Sequence, residues 1–217
     1  MNRPLLLGHR GARANQSIAE NTIASFDRAL ADGCDGFEFD LRLTADGSAV
    51  VCHDSNVNGL EIASAPSAKL PPEIPRLTEV LARYQDRAFL DIELKVAGLE
   101  KTTVSTLHAR PPRRGFVVSS FLPEVLRTIH AEDAAIPLGL ICETGSQLAL
   151  WTELSLEYVI PHHSLLDVPL MEKLSAAGKK ILVWTVNSPD GMRRFREAGV
   201  DGIISDDTRL LCRSISG

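Results

Sequence analysis

The chain has 217 residues, 44% of them apolar and 24% charged, which is the composition of a folded domain and excludes a disordered or fibrous protein. Lysine and arginine number 23 against 28 aspartates and glutamates, a formal charge of −5, and no basic run exceeds Arg113-Arg114 or the Arg193, Arg194, Arg196 helix face. Nucleic acid is therefore not an expected partner. Cys34, Cys52, Cys142 and Cys212 are scattered with no CxxC pair, as free thiols of a reducing compartment would be. No apolar run nears the roughly 18 residues of a membrane span, and Pro4–Leu7 is too short for a signal-peptide core. The expectation is a cytoplasmic protein without stable membrane insertion. A chain of this length buries enough surface to fold without a metal, so any metal is expected to serve chemistry.

Short apolar runs alternate with segments of helical period. The predicted strands are Pro4–Gly8, Gly36–Leu41, Phe89–Leu94, Gly115–Ser119, Pro137–Cys142, Tyr158–Pro161, Lys180–Val186 and Gly202–Ser205. Ile23, Phe26 and Leu30 define a helix after the first strand, and Leu77, Val80, Leu81 and Tyr84 another before the third. Leu122-Pro123 and Ser188-Pro189-Asp190 read as helix starts, and Gly33, Gly178 and Gly199 as stops. Eight strands and eight helices in alternation predict an α/β fold, a (β/α)8 TIM barrel, with a doubly wound open sheet as the alternative. Residues 31–40 and 197–206 share a helix end, a Gly-x-Asp-Gly turn and a strand. One segment breaks the alternation: Asp46-Gly47 between two strand-like runs predicts a hairpin, and residues 55–76, with Pro66, Pro71, Pro72 and Pro75, predict a short irregular loop or cap. The expected organisation is one catalytic domain over residues 1–217 with 55–76 inserted in it.

In a barrel the chemistry lies at the C-terminal ends of the strands. There the sequence offers His9-Arg10, Glu38-Phe39-Asp40, His53-Asp54 and Glu93-Leu94-Lys95. Side chains alternate across a strand, so Glu38 and Asp40 share one face and Phe37, Phe39 and Leu41 the other. The outer face packs under helices, which turns Glu38, Asp40 and Glu93 inward. Three buried carboxylates need a cation or protons to neutralise them, and a hard divalent ion, Mg²⁺ or Ca²⁺, suits an all-oxygen set. The alternative is an amphipathic strand with its polar face in water. His9 and His53 at the same rim can divide proton removal and donation, and Arg10 and Lys95 suit an anionic substrate. Salt bridges and structural histidines are the plainer readings of the same residues.

These residues form an ordered series: His9-Arg10-Gly11, Glu20-Asn21-Thr22, Ser25-Phe26, Glu38-x-Asp40, Thr44-x-Asp46-Gly47, His53-Asp54, Glu93-x-Lys95, Ser120-Phe121, Trp184-Thr185-Val186-Asn187 and Gly199-Val200-Asp201-Gly202-Ile203. Across nearly the whole chain the series resembles the glycerophosphodiester phosphodiesterase family. The resemblance implies a barrel that hydrolyses glycerophosphodiesters to glycerol 3-phosphate and an alcohol with one divalent cation. It implies Glu38, Asp40 and Glu93 as metal ligands, His9 and His53 as the acid–base pair, and Arg10 and Lys95 as phosphate holders. Trp184, Asn187 and Phe121 are expected to line the pocket. His162 and His163 are left out, because adjacent extended side chains point apart.

Three departures stand out. Ala19 precedes Glu20-Asn21-Thr22 where the family commonly has proline, Asp206-Asp207-Thr208 lacks a proline after the last strand, and the stretch after Asp54 is short. The second is expected to leave the catalytic set untouched. The third is expected to alter what overhangs the pocket, opening it to lysophospholipids or leaving a neighbouring subunit in a homo-oligomer to complete it. The rival readings are a phospholipase D-like lysolipid hydrolase, with Leu70 and Ile74 as its apolar patch, and a non-catalytic phosphodiester-binding barrel.

Overall fold

The computed structural model describes residues 3–216. In chain order it contains β1 (Leu5–Gly8), α1 (Ile23–Ala31), β2 (Gly36–Leu43), β3 (Ala49–Val51), β4 (Asn56–Val57), β5 (Leu60–Glu61), α2 (Leu77–Tyr84), β6 (Phe89–Leu94) and α3 (Glu100–Ala109). There follow β7 (Phe116–Ser120), α4 (Pro123–Glu132), β8 (Leu138–Cys142), α5 (Gly145–Ala149), β9 (Tyr158–Pro161), α6 (Val168–Ala176), β10 (Lys180–Val183), α7 (Pro189–Ala198), β11 (Gly202–Ser205) and α8 (Thr208–Ser216). Strands β1, β2, β6, β7, β8, β9, β10 and β11 pair in parallel in that cyclic order, and β1 joins both β2 and β11. That closure makes the barrel and excludes the open sheet. The helix starts at Pro123 and at Ser188, whose hydroxyl accepts from the Gly191 N–H, fall where the sequence predicts them.

Two apolar layers follow from the strand alternation. Outward residues pack under the helices, where the Phe26 ring of α1 stacks on Phe37 at 4.1 Å and Tyr84 of α2 meets Phe37 edge-on at 4.9 Å. Inward residues fill the barrel itself: Leu7, Phe89, Val117, Ile141, Tyr158, Ile160, Leu182 and Ile204. At the head of β2 the barrel wall is too close for any side chain, because a Cβ on Gly36 would stand 1.8 Å from the Phe89 carbonyl oxygen.

The repeated Gly-x-Asp-Gly turns do the same work twice. Asp35, just before β2, accepts the Leu6 N–H with its carboxylate at 2.8 Å, and Asp201, just before β11, accepts the Ile181 N–H at 2.8 Å. Each ties the N-terminal end of one strand to its neighbour and satisfies a backbone donor that the ladder leaves open.

The predicted hairpin is present as β2 and β3, paired antiparallel from Leu41↔Val51 to Leu43↔Ala49. Residues 55–76 form the β4–β5 ribbon and two short 3-10 turns, Ile62–Ser64 and Ser67–Lys69. Ile62 and Ala65 are buried, the Ala45 N–H donates to the Ala65 carbonyl, and the Ser67 hydroxyl and N–H both donate to Asp46. The segment is thus bound to the hairpin, and its apolar residues are used in holding it there.

Candidate active site

The loop after β1 is built for close approach. His9 follows the strand, Arg10 adopts φ 52° and Gly11 φ 80°. A Cβ on Gly11 would stand 2.2 Å from the Ser25 Oγ, so α1 lies directly against the turn. The left-handed Arg10 is held on both sides: its N–H donates to Glu38 Oε2 at 3.0 Å, and its carbonyl accepts from the Asn21 N–H and the Ser25 hydroxyl. The order Glu20-Asn21-Thr22 then has a physical basis. Glu20 pairs with Arg10 at 2.8 Å and Arg13 at 2.7 Å, the Asn21 amide donates to Asp40 at 2.8 Å, and the Thr22 hydroxyl caps α1 by accepting the Ser25 N–H.

Glu38, Asp40 and Glu93 are buried and point inward, as strand parity requires, and each offers an oxygen within 4.8 Å of the others. Lys95 Nζ lies 2.9 Å from Glu93 and 3.3 Å from Asp40, and Arg10 Nε lies 3.3 Å from Asp40. Glu38 Oε1 is buried and has no hydrogen-bond partner among the described residues. Burial, then the neighbouring Asp40, Glu93 and Asp91 carboxylates, push the Glu38 pKa well above its ordinary value. Burial and Asp40 raise Glu93 to about 7 against the opposing pull of Lys95. For Asp40, burial is outweighed by Lys95, Arg10 and the Asn21 amide, and its pKa is lowered. Lys95 and Arg10 likewise stay charged, because the carboxylates around them overcome desolvation.

One cavity of about 300 Å³ at the C-terminal mouth gathers most of the expected residues: His9, Arg10, Glu38, His53, Glu93, Lys95, Phe121 and Trp184 line it. Asp40 sits behind that lining, in contact with Lys95 and Arg10. Trp184 donates its indole N–H to the Ile160 carbonyl at 2.9 Å and meets Phe121 edge-on at 5.7 Å. Asn187 differs from expectation: it does not line this cavity, because its amide is spent on Asp206 and Ser205. His162 and His163 lie outside the lining as well.

The sequence reading missed three residues. Asp206 accepts from His9 Nδ1 at 2.7 Å and is itself held by Asn187 at 2.6 Å and Arg13 at 3.2 Å. The segment after the last strand therefore meets His9, one of the expected catalytic residues. Burial disfavours the Asp206 anion, but the His9, Asn187 and Arg13 bonds outweigh it and hold the carboxyl well below the usual range. The tautomer with the proton on Nδ1 leaves His9 Nε2 free on the side of Glu38, 3.9 Å away. His53 has a similar partner in Asp54, 2.8 Å from its Nδ1. Asp91 and Glu143 also line the cavity; burial raises Asp91 to about 7, although a Ser119 hydroxyl donates to it.

No residue of 55–76 lines the cavity. Leu70 and Ile74 therefore supply no apolar patch at the mouth, and Val168 is the one large apolar side chain that is exposed among the described residues.

A closed parallel barrel with two imidazoles, a carboxylate cluster and two cations at its C-terminal mouth is an enzyme architecture, and the cations suit phosphate esters. The sequence profile of the glycerophosphoryl diester phosphodiesterase family matches residues 9–65 and 60–210. The chain belongs to that family. It is 32% identical over 236 residues to a glycerophosphodiester phosphodiesterase of Caldanaerobacter subterraneus subsp. tengcongensis, with 96% of each chain covered. Among solved structures, a phosphodiesterase of Oleispira antarctica in complex with the product sn-glycerol-3-phosphate superposes with a TM-score of 0.86 at 26% identity, covering 99% of this chain and 98% of that one. The glycerophosphodiester phosphodiesterase of Thermotoga maritima gives a TM-score of 0.85 at 25% identity, covering 98% and 99%. No helix among the described residues is long and apolar enough to cross a membrane.

Proposed function

We propose that the chain hydrolyses glycerophosphodiesters to glycerol 3-phosphate and an alcohol, with His9 and His53 as the acid–base pair. The observation that carries this reading is the convergence of both imidazoles, Arg10, Lys95 and the carboxylate cluster on one cavity. The product complex of the Oleispira antarctica phosphodiesterase supports the glycerol 3-phosphate half.

The donor set fits one divalent cation on Glu38, Asp40 and Glu93: all three offer hard oxygens, and Glu38 Oε1 is buried without any other partner. Mg²⁺ and Ca²⁺ are the candidates. When bound, such an ion neutralises charge on a phosphate oxygen and makes a nearby hydroxyl easier to deprotonate. Arg10 and Lys95 bind the phosphate and keep it in register with the histidines. His9 takes a proton at Nε2 from the attacking hydroxyl while Asp206 stabilises the imidazolium formed. His53 delivers a proton to the departing alcohol oxygen. The apolar floor of Ile141, Ile160 and Ile204 excludes water from beneath the reacting group.

Release of glycerol 3-phosphate from a panel of glycerophosphodiesters and lysophospholipids, with EDTA, Mg²⁺ and Ca²⁺ in parallel, tests the reading. Cation-restored hydrolysis of the glycerophosphodiesters is expected. Turnover of lysophospholipids alone, or of nothing, would overturn it. His9→Ala and His53→Ala are each expected to lower kcat by about 10²–10⁴. A loss below tenfold in either would assign that histidine to structure.

A further inference from the structure

Two of the cysteines, 178 residues apart in the chain, meet in the outer apolar layer: Cys34 Sγ and Cys212 Sγ stand 3.8 Å apart, both as free thiols. Cys34 lies in the turn from α1 to β2 and is fixed from both sides, its own N–H donating to the Ala29 carbonyl and that of Asp35 to the Leu6 carbonyl. Cys212 lies one turn beyond Thr208 on the same face of α8, and the Thr208 hydroxyl donates to Asp32 of that turn at 2.7 Å. The two thiols are unlike. Cys34 is buried and Cys212 half-buried. The hydrogen bond between them lowers the Cys212 pKa and, together with burial, raises that of Cys34. Cys212 is thus the thiol that meets a reagent and ionises first, with Cys34 behind it. Cys52 and Cys142 differ: burial raises both, the latter to about 12, and their S–H groups are spent on the Asp54 and Leu140 carbonyls.

We propose that Cys212 and Cys34 are the attacking and resolving thiols of a reversible disulfide that fastens α8 to the α1–β2 turn. The co-reactant is a low-molecular-weight disulfide. Cys212 loses its proton, and its thiolate attacks one sulfur of the reagent, forming a mixed disulfide and displacing a small thiolate that takes the proton up. Cys34 then gives up its proton, attacks Cys212 Sγ and displaces the second small thiolate, which is protonated in turn. Two electrons pass from the cysteines to the reagent, leaving one protein disulfide and two small thiols. Closing the bond moves the sulfurs together by roughly 1.8 Å, a distance on the scale of a side-chain rotation. Because α8 begins two residues after Asp206, the bond also secures the segment that holds His9. The chemistry is independent of what the mouth cleaves.

The test treats the full chain with glutathione disulfide and then with dithiothreitol. Oxidation is expected to lower the titratable thiols from four to two, and a peptide map without reductant should join the peptides that hold Cys34 and Cys212. The melting temperature should rise by about 5–15 °C, as expected for closing a loop of 178 residues. Hydrogen exchange should slow across residues 206–216, and dithiothreitol should reverse both changes. Cys34→Ala should stop at one glutathione on Cys212, and Cys212→Ser should take none at Cys34. Four titratable thiols after oxidation, a link made through Cys52 or Cys142, or a mixed disulfide that persists on Cys212 of the parent would each overturn the assignment. A Cys34–Cys212 link that fails to raise the melting temperature would overturn the fastening of α8. The parent's peptide map decides even where a variant fails to fold.

Discussion

Glu38→Gln and Glu93→Gln are each expected to abolish cation-dependent hydrolysis, by about 10³-fold or more, while leaving the cation-free protein at least as stable as the parent. The two effects have one cause. The carboxylates are buried together, and with no cation on them their mutual repulsion is relieved by Arg10, Lys95, the Asn21 amide and protons. Glu93 is raised from 4.5 to about 7, so the folded state binds this proton more tightly than the unfolded state does. The stability it contributes is complete below about pH 4.5 and is lost as the pH rises towards 7, up to about 3 kcal/mol for this group. Asp91, raised from 3.8 to about 7, slopes the same way. The melting temperature of the EDTA-treated protein should therefore fall between pH 5 and pH 8. Glu93→Gln should flatten part of that fall, and saturating Mg²⁺ or Ca²⁺ should reverse it in the parent but not in the variant. A Glu93→Gln protein that melts well below the parent at pH 8 would make Glu93 a structural residue.

Asp206→Asn is expected to lower kcat by about 10²–10⁴ with little change in KM. Asp206 does not line the catalytic cavity, so substrate binding has no direct need of it. Its carboxylate stands 2.7 Å from His9 Nδ1, and in the proposed mechanism it fixes the tautomer that frees Nε2 and stabilises the imidazolium. An asparagine keeps the size but not the charge, and its amide can present a donor to Nδ1 and favour the wrong tautomer. Asp206→Glu should recover part of the rate. A fall in kcat that only tracks a fall in melting temperature, with no recovery in Asp206→Glu, would reduce Asp206 to a structural brace.

Strand parity made much of the site legible. Glu38 and Asp40 alternate with Phe37, Phe39 and Leu41, and once helices cover the aromatic face the carboxylates must turn inward, as they do. The same parity made Asp91 readable, since it shares a face with Glu93 two residues on. Asp206 needed more. Its link to His9 spans 197 residues and exists because the last strand closes against the first. That closure is implied by a barrel, so the residues following its first and last strands are neighbours at one rim. Asn187 could not be resolved in this way: a residue at the mouth serves either the pocket or the groups behind it, and only the observed bonds to Asp206 and Ser205 decide. The placement of residues 55–76 was equally hidden, because Ile62, Ala65 and Ser67 find their partners on a hairpin whose tilt the sequence does not encode locally.

The twin aspartates at the foot of the barrel give the molecule a division of labour. Asp35 and Asp201 clamp neighbouring strands at the end opposite the mouth, each through a backbone N–H of the adjoining strand. Strand alignment is thereby secured without calling on any loop at the mouth, and the C-terminal loops need only carry side chains. Such a scaffold can vary what covers its mouth and keep the strands in register. Divergence in what the enzyme accepts can then accumulate at one end while the register of the whole barrel is kept at the other.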